Sequence, residues 1–247
     1  MSDSKKVVYF ISDAHLGAPG PVASLAREKR LVEFLEEIKG TASDLFIMGD
    51  LFDFWFEYKH VVPRGFTRIL GKLAELSDLG IKIHYFTGNH DIWNFSYLQE
   101  ETGIILYNNP TAMTIGGKQF FLAHGDGLDE SDPTFRFVKS IFTNRFLQWA
   151  FARLHPNLAF SIAQKWSRRS RARHTDDCFH GESEPIIGYA RKHLLNEGYD
   201  FLVFGHRHIP VDYQLSPHTR LIILGDWISN FSYAVFTEGK LELKTKD

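Results

Sequence analysis

Five short apolar runs in this chain each end on a cluster of acidic, amide or imidazole side chains, and that recurrence constrains the fold more than any other feature. Val7 to Ser12 leads into Asp13-Ala14-His15, and Asp44 to Met48 leads into Gly49-Asp50-Leu51-Phe52-Asp53. Lys82 to Thr87 leads into Gly88-Asn89-His90-Asp91, Lys118 to Ala123 into His124-Gly125-Asp126, and Asp200 to Phe204 into Gly205-His206-Arg207-His208. Each run reads as a buried strand. Helical patterns lie between them: Leu31, Phe34, Leu35 and Ile38 share one face of a helix over Val22 to Lys39, and Phe66 to Leu79 and Ile186 to Glu197 read similarly. Such alternation predicts an α/β architecture, in which ligands bind where the carboxyl ends of strands converge. From Arg220 onward the pattern changes to sequential strands at Leu221 to Leu224, Tyr233 to Thr237 and Lys240 to Lys244.

The residue types at those ends point to metals. Asp13, His15, Asp50, Asn89, His124, His206 and His208 are candidate ligands. Imidazole and carboxylate without thiolate suit Mn²⁺, Fe or Zn²⁺ and lean away from Cu(I). These are too many donors for one ion with open positions, whereas two ions sharing a bridging carboxylate use them all. Two metals about 3.5–4 Å apart can activate water and clamp a phosphoryl group. Any one cluster also has a plain reading, Gly49-Asp50 as a turn and Asn89 as a left-handed loop residue; five together do not. His60, His84, His155, His174, His180, His193 and His218 lack ligand spacing and read as surface or core residues, and Asp226-Trp227, after the last core strand, is placed to touch the site but reads first as structural.

Bulk properties exclude several classes. With 28 Lys and Arg against 30 Asp and Glu, the net charge of −2 argues against a general polyanion binder, and no nucleic-acid partner is expected. A hydrophobic fraction of 44% excludes disorder, and 247 residues suit a single domain spanning 1–247. The single cysteine, Cys178, fits a reducing compartment. No apolar stretch approaches a membrane span, and the polar start from Met1 to Lys6 carries no visible signal peptide, so a cytoplasmic location is expected.

One segment departs from the average. Pro133 to Thr175 (133–175) reads as a helical insertion carrying nine cations and no acidic residue, with eight aromatic side chains among them. Without it, the rest of the chain carries −11. Val138, Phe142, Phe146 and Trp149 recur at helical spacing, and Leu158, Ile162 and Trp166 repeat it beyond Pro156. Two basic amphipathic helices suit an anionic membrane surface or an acyl-chain pocket; equally, the apolar stripes can pack on the main domain and leave the arginines solvated. Arg168, Arg169, Arg171 and Arg173 are suited to phosphate through the planar guanidinium.

The order and wording of the five clusters closely resemble the calcineurin-like metallophosphoesterase family, whose motifs are Asp-x-His, Gly-Asp-x-x-Asp, Gly-Asn-His-Asp/Glu, His followed by Gly, and Gly-His-x-His. The resemblance implies a four-layer α/β/β/α sandwich with the insertion as a lid, and two divalent metal ions, Mn²⁺ foremost. Asp13, His15, Asp50 and His208 would hold one ion and Asp50, Asn89, His124 and His206 the other, with Asp50 bridging. The family resemblance makes His90 catalytic, as general acid or stabiliser of phosphoryl charge, and Asp91 its orienting partner. Asp53 and Asp126 then read as loop-fixing residues behind the ligands.

The run Gly49 to Trp55, His124-Gly125-Asp126 with Asp132 and Phe135-Arg136 downstream, and Leu224-Gly225-Asp226-Trp227 resemble one branch of that family. This branch splits the diphosphate of a nucleotide-linked diacylated amino sugar in lipid A biosynthesis. It implies a nucleotide-linked glycolipid as substrate, contacted by Asn89, His90, Asp132, His206 and the insertion arginines. It also implies a peripheral location on the cytoplasmic face of the inner membrane. The branch often carries arginine where this chain has His90, and Phe56-Glu57-Tyr58-Lys59 stands where an acidic run is common. The alternatives are a metallophosphoesterase for another nucleotide, sugar phosphate or phosphoprotein, and an inactive scaffold, which would be expected to lack one or more ligands.

Overall fold

A computed structural model describes residues 6–128, 137, 140–173 and 178–246, with the side chains of 168–173 outside that description. β1 (Val7–Ile11) lies inside the first sheet, parallel to β2 (Ala42–Ile47), which is followed outward by β3 (Lys82–Phe86) and the short β4 (Ile105–Tyr107). On the other side of β1 run β10 (Ser232–Thr237) and β11 (Lys240–Thr245), both antiparallel to their neighbours. The second sheet holds β5 (Thr111–Ile115), β6 (Lys118–Ala123), β7 (Phe201–Phe204), β8 (Pro210–Gln214) and β9 (Arg220–Leu224), in the order β5-β6-β7-β9-β8.

Side-chain alternation along each strand builds the layers. In β1, Val8 and Phe10 point between the two sheets while Ile11 points outward to the helices. Phe10 stacks on Phe46 with ring centroids 4.8 Å apart and lies 5.9 Å from Phe120 of the opposite sheet. On the outer face of the first sheet pack α1 (Pro21–Ile38), α2 (Thr67–Asp78) and α3 (Tyr97–Thr102), through Leu31, Leu35, Ile69, Leu73 and Leu98. α6 (Pro185–His193) covers the second sheet through Ile186, Ile187 and Ala190. The result is a four-layer α/β/β/α sandwich, as the cluster order implies. Glu28 of α1 ties two helices of one layer together, its carboxylate accepting the Arg68 and Ile69 backbone N–H groups at the start of α2. That replaces a local cap where Phe66 is left-handed.

Expected elements and observed ones coincide within a few residues, with two kinds of departure. The Ile186 to Glu197 helix stops at His193, where the Glu197 N–H turns back to the Leu194 carbonyl ahead of left-handed Gly198. α3, β4, β5 and β8 carry too few apolar residues in register to be seen in the sequence.

The insertion, which contains α4 (Arg145–Phe151) and α5 (Pro156–Arg173), divides its apolar residues between two faces. Phe142, Phe151 and Phe160 meet the body, Phe151 at 4.7 Å from Trp93 and Phe160 at 5.1 Å from Phe54, and the Trp93 indole N–H donates to the Phe142 carbonyl. Phe146, Trp149, Leu158, Ile162 and Trp166 face solvent, with Phe146 69% and Trp149 54% exposed. Packing on the main domain therefore holds for the inward residues, while the outward ones are left exposed. Among the described residues no helix is long and apolar enough to cross a membrane.

Candidate metal centre

Each ligand cluster begins where its strand stops, because the chain must turn sharply there. Five of the candidate ligands sit in the left-handed region, with φ of 55° at Asp13, 42° at His15, 53° at Asp50, 69° at His206 and 56° at His208. Non-glycine residues there are strained and concentrate at functional sites. The glycines beside them make room: a Cβ on Gly88 would lie 2.1 Å from the Asp50 carboxylate, and one on Gly205 would collide with Ser12 and Asp13.

The turns bring the side chains together. The Nε2 atoms of His15 and His208 are 3.1 Å apart, and Asp13 Oδ1 lies 3.8 Å and 3.4 Å from them. Asp50 Oδ2 stands between the two halves of the site, 3.6 Å from His15 Nε2 and 3.4 Å from His124 Nε2, the only carboxylate among the described ligands within reach of both. His124 donates Nδ1–H to the Met48 carbonyl at 2.7 Å, which turns Nε2 toward Asp50 and toward Asn89 Oδ1 at 3.3 Å. His206 completes this second group with Asp50 and His124, and its backbone N–H donates to Asp13 Oδ2 at 2.8 Å. Arg207, between two ligands, points the opposite way and pairs with buried Glu184 at the start of α6. All seven candidate ligands thus converge.

Charge in this pocket is balanced within a buried space. Burial alone would raise Asp50 and lower His124. Their mutual attraction wins, helped for Asp50 by His90, so Asp50 lies well below the usual carboxylate range and His124 well above the usual imidazole range. Burial lowers His206 to about 3 and His90 to about 4, so both are neutral at pH 7.

Divalent ions fit these residues. Asp13 Oδ1 and His15 Nδ1 are buried with no hydrogen-bond partner among the described residues. Two imidazole nitrogens also face each other beside a carboxylate. A cation between Asp13 Oδ1 and the two Nε2 atoms satisfies the carboxylate oxygen and the facing nitrogens, and leaves His15 Nδ1 as the protonated nitrogen, 3.7 Å from Asp53 Oδ1. The oxygen and nitrogen donor set without sulfur suits Mn²⁺, Fe or Zn²⁺.

His90 and its surroundings correct one expectation. Asp91 does not orient His90: it is wholly buried and accepts the Gly88 N–H at 2.7 Å, the Phe52 N–H at 3.4 Å and the Tyr85 hydroxyl, locking the Gly88–Asn89 turn onto the neighbouring loop. Burial, then the nearby Asp50 charge, raises Asp91 to about 6. Its two oxygens are taken by these donors, none of which is His90. Asp53 takes that place, its carbonyl accepting His90 Nδ1–H at 3.0 Å and its carboxylate lying 3.8 Å away. Ser167 of α5 donates to Asp53 Oδ1 at 2.7 Å and sits 3.1 Å from His90 Nδ1.

Asp226 also belongs to the site, although its sequence context reads as structural. Its Oδ2 lies 3.4 Å from His208 Nδ1, while Oδ1 accepts the N–H groups of Ile228, Ser229 and Asn230. Burial would raise this carboxyl, but His208 and those donors hold it at about 2. A carboxylate behind a ligating imidazole fixes its orientation and raises its basicity. The Asp-Trp pair after a strand was the available signal. His84, read as a plain residue, stacks on Phe46 and bonds to Tyr107 and Asp44, away from the centre. Asp126 lines the cavity next to His124. Asp132 and the side chains of Arg168, Arg169, Arg171 and Arg173 lie outside the described residues.

Comparison with known proteins places this geometry. A family model described as calcineurin-like phosphoesterase matches residues 6–210. A UDP-2,3-diacylglucosamine hydrolase of Porphyromonas gingivalis is 41% identical, with 97% of each chain covered. A protein of the same name from Aeromonas salmonicida is 30% identical over 96% of this chain and 92% of its own. Among solved structures, the E. coli phosphoesterase Yfce aligns with a TM-score of 0.46 at 15% identity, covering 97% of this chain and 92% of that one.

Proposed function

The chain belongs to the calcineurin-like phosphoesterase family, and we propose that it hydrolyses the diphosphate of UDP-2,3-diacylglucosamine to UMP and 2,3-diacylglucosamine 1-phosphate, a step of lipid A biosynthesis. The observation that carries this reading is the 41% identity to a hydrolase of that name, end to end. The solvent-facing Phe146, Trp149 and Trp166 of the insertion support it, since they offer apolar surface beside a phosphoesterase centre.

As a metal-dependent hydrolase, the chain would hold one ion through Asp13, His15, Asp50 and His208 and the other through Asp50, Asn89, His124 and His206, with Mn²⁺ the proposed metal. When bound, such a pair activates water and neutralises charge growing on the phosphoryl oxygens. The protein's own part is positional. Asp226 and the Met48 carbonyl aim His208 and His124. Asp53 and Ser167 fix His90 beside the candidate ligands, neutral, with Nδ1–H already donated and Nε2 left as the unprotonated nitrogen. In that state His90 orients the substrate or accepts a hydrogen bond; to protonate the leaving group it must first take up a proton. The insertion arginines are proposed to meet the diphosphate. The exposed apolar face, with Arg145 and Lys165 on the same helices and Arg153 in the turn between them, is proposed to rest on an anionic membrane surface on the cytoplasmic side.

The test is turnover of UDP-2,3-diacylglucosamine in mixed micelles with Mn²⁺, beside a generic phosphodiester and an unacylated UDP-sugar. Release of UMP from the acylated substrate in strong preference to the other two is expected. Brisk phosphodiester hydrolysis without UMP release would overturn the lipid reading and leave the phosphoesterase assignment standing.

A further inference from the structure

A second feature adjoins the metal centre and is used by none of the chemistry above. A cavity of about 410 Å³ opens between the Gly88 to Asn94 turn, the Tyr107 to Pro110 turn and the insertion, and it shares His124 and Gly88 with the centre. Phe86 and Tyr107, stacked with centroids 4.7 Å apart, form one wall, and Thr143 and Gln148 of the insertion form the roof.

Asn94 lines this cavity, is 2% exposed, and has neither Oδ1 nor Nδ2 hydrogen-bonded among the described residues. Buried amides are nearly always satisfied, and an exception in a native fold calls for an explanation. The nearby polar groups are already paired: Trp93 Nε1–H and the Gln148 amide both donate to the Phe142 carbonyl, at 2.6 Å and 2.8 Å. Among the described residues Asn94 is thus a buried amide with both polar atoms unpaired, in the wall of a cavity that continues into the site of phosphate chemistry. A site that holds a buried polar group for a substrate discriminates strongly, because a substrate lacking the matching group leaves it unpaired.

We propose that Asn94 is a specificity-determining residue whose amide pairs with a planar N–H/C=O unit of the substrate beside the scissile diphosphate. The assignment rests on the substrate reading given above. That substrate carries such a unit on each side of its diphosphate: the imide edge of uracil, which can engage both amide atoms at once, and the amide joining an acyl chain to the amino sugar. The chemistry recognised is the same in either case.

Product inhibition separates the two sources. UMP and 2,3-diacylglucosamine 1-phosphate are titrated separately against the metal-loaded wild type and the Asn94→Leu variant, with Asn94→Ala as a second variant should Leu fail to fold. Metal content and unfolding temperature are recorded for each. The inhibition constant of one product rises on the order of tenfold while the other stays within twofold. A rise for UMP identifies the base as the group recognised, and a rise for the lipid product identifies the acyl amide. A purely structural role would not move one product alone. Inhibition constants within twofold of wild type for both products would overturn the proposal. If the wild type itself releases no UMP, the failure lies with the substrate reading instead.

Discussion

Ser167 of the insertion donates a 2.7 Å hydrogen bond to the carboxylate of Asp53, whose own carbonyl holds the His90 ring. The insertion and His90 are therefore linked through a buried serine. Replacing Ser167 by Ala removes that link without touching a metal ligand. Turnover falls about tenfold, the scale of a small misplacement in an aligned site, while metal content stays at the wild-type level. Turnover within twofold of wild type would show that His90 is positioned by other contacts.

Asp50 lies between the His15 and His124 nitrogens, so it serves both halves of the centre. Asp50→Ala is expected to lose both ions and all measurable hydrolysis. Gly88→Ala, whose new Cβ would press on the same carboxylate, is expected to do so in part. Metal analysis after desalting is the readout, and a full complement in Asp50→Ala would exclude bridging.

Behind the ligands, Asp226→Asn leaves the turn donors a partner but weakens the carboxylate–imidazole contact to His208. Metal affinity drops about 10–100-fold, as for other residues that orient a ligand from behind. Competition with a fluorescent chelator measures it directly. An unchanged affinity would mean that Asp226 serves only the turn.

Acid should destabilise the metal-free protein in a defined window. His90 and His206 stay neutral in the fold down to about 4 and about 3, whereas unfolded they take up protons near 6.5. Their folded values are depressed, so the unfolded state binds more protons as the pH falls below 6.5, and stability is lost. His124 is displaced the other way and is charged in both states below that point, so it does not offset the loss, whereas Asp91, raised to about 6, protonates first in the fold and offsets the slope of one histidine. Each depressed histidine contributes about 1.4 kcal/mol per pH unit between pH 6 and 4. Chemical denaturation of the apo protein across that range tests this; a flat profile would refute neutral burial.

Phe146, Trp149 and Trp166 are exposed on the lid while Phe151 and Phe160 pack inward. Trp149→Ala should reduce partition onto vesicles of anionic lipid about tenfold, the worth of withdrawing one large apolar side chain from contact. It should change unfolding free energy by less than about 0.5 kcal/mol, because a solvent-facing side chain supports little of the core. Co-sedimentation and urea unfolding are the two measurements; unaltered partition would remove this face from the membrane contact.

The sequence determined which seven candidate ligands converge and the layered α/β plan, and it supplied the two-ion reading as an expectation. Short-range chemistry suffices for these: apolar runs must be buried, and polar clusters at their ends must lie along one edge of the sheets. Cluster order also carried the family, through motifs that a single chain displays without gaps. Tertiary structure decided what stands behind the ligands. Asp53 rather than Asp91 holds His90, Asp226 backs His208, Ser167 reaches across 114 positions to Asp53, and Asn94 is left bare beside the centre. These relations join residues far apart in sequence, or depend on which way a side chain leaves a sharp turn. The insertion divides likewise: helical spacing marked its stripes as apolar, but only packing against Phe54, Phe56 and Trp93 decided which aromatics turn inward and which stay free for a partner. Hydrophobic periodicity records that a residue seeks burial; the surface that buries it is made by the rest of the fold.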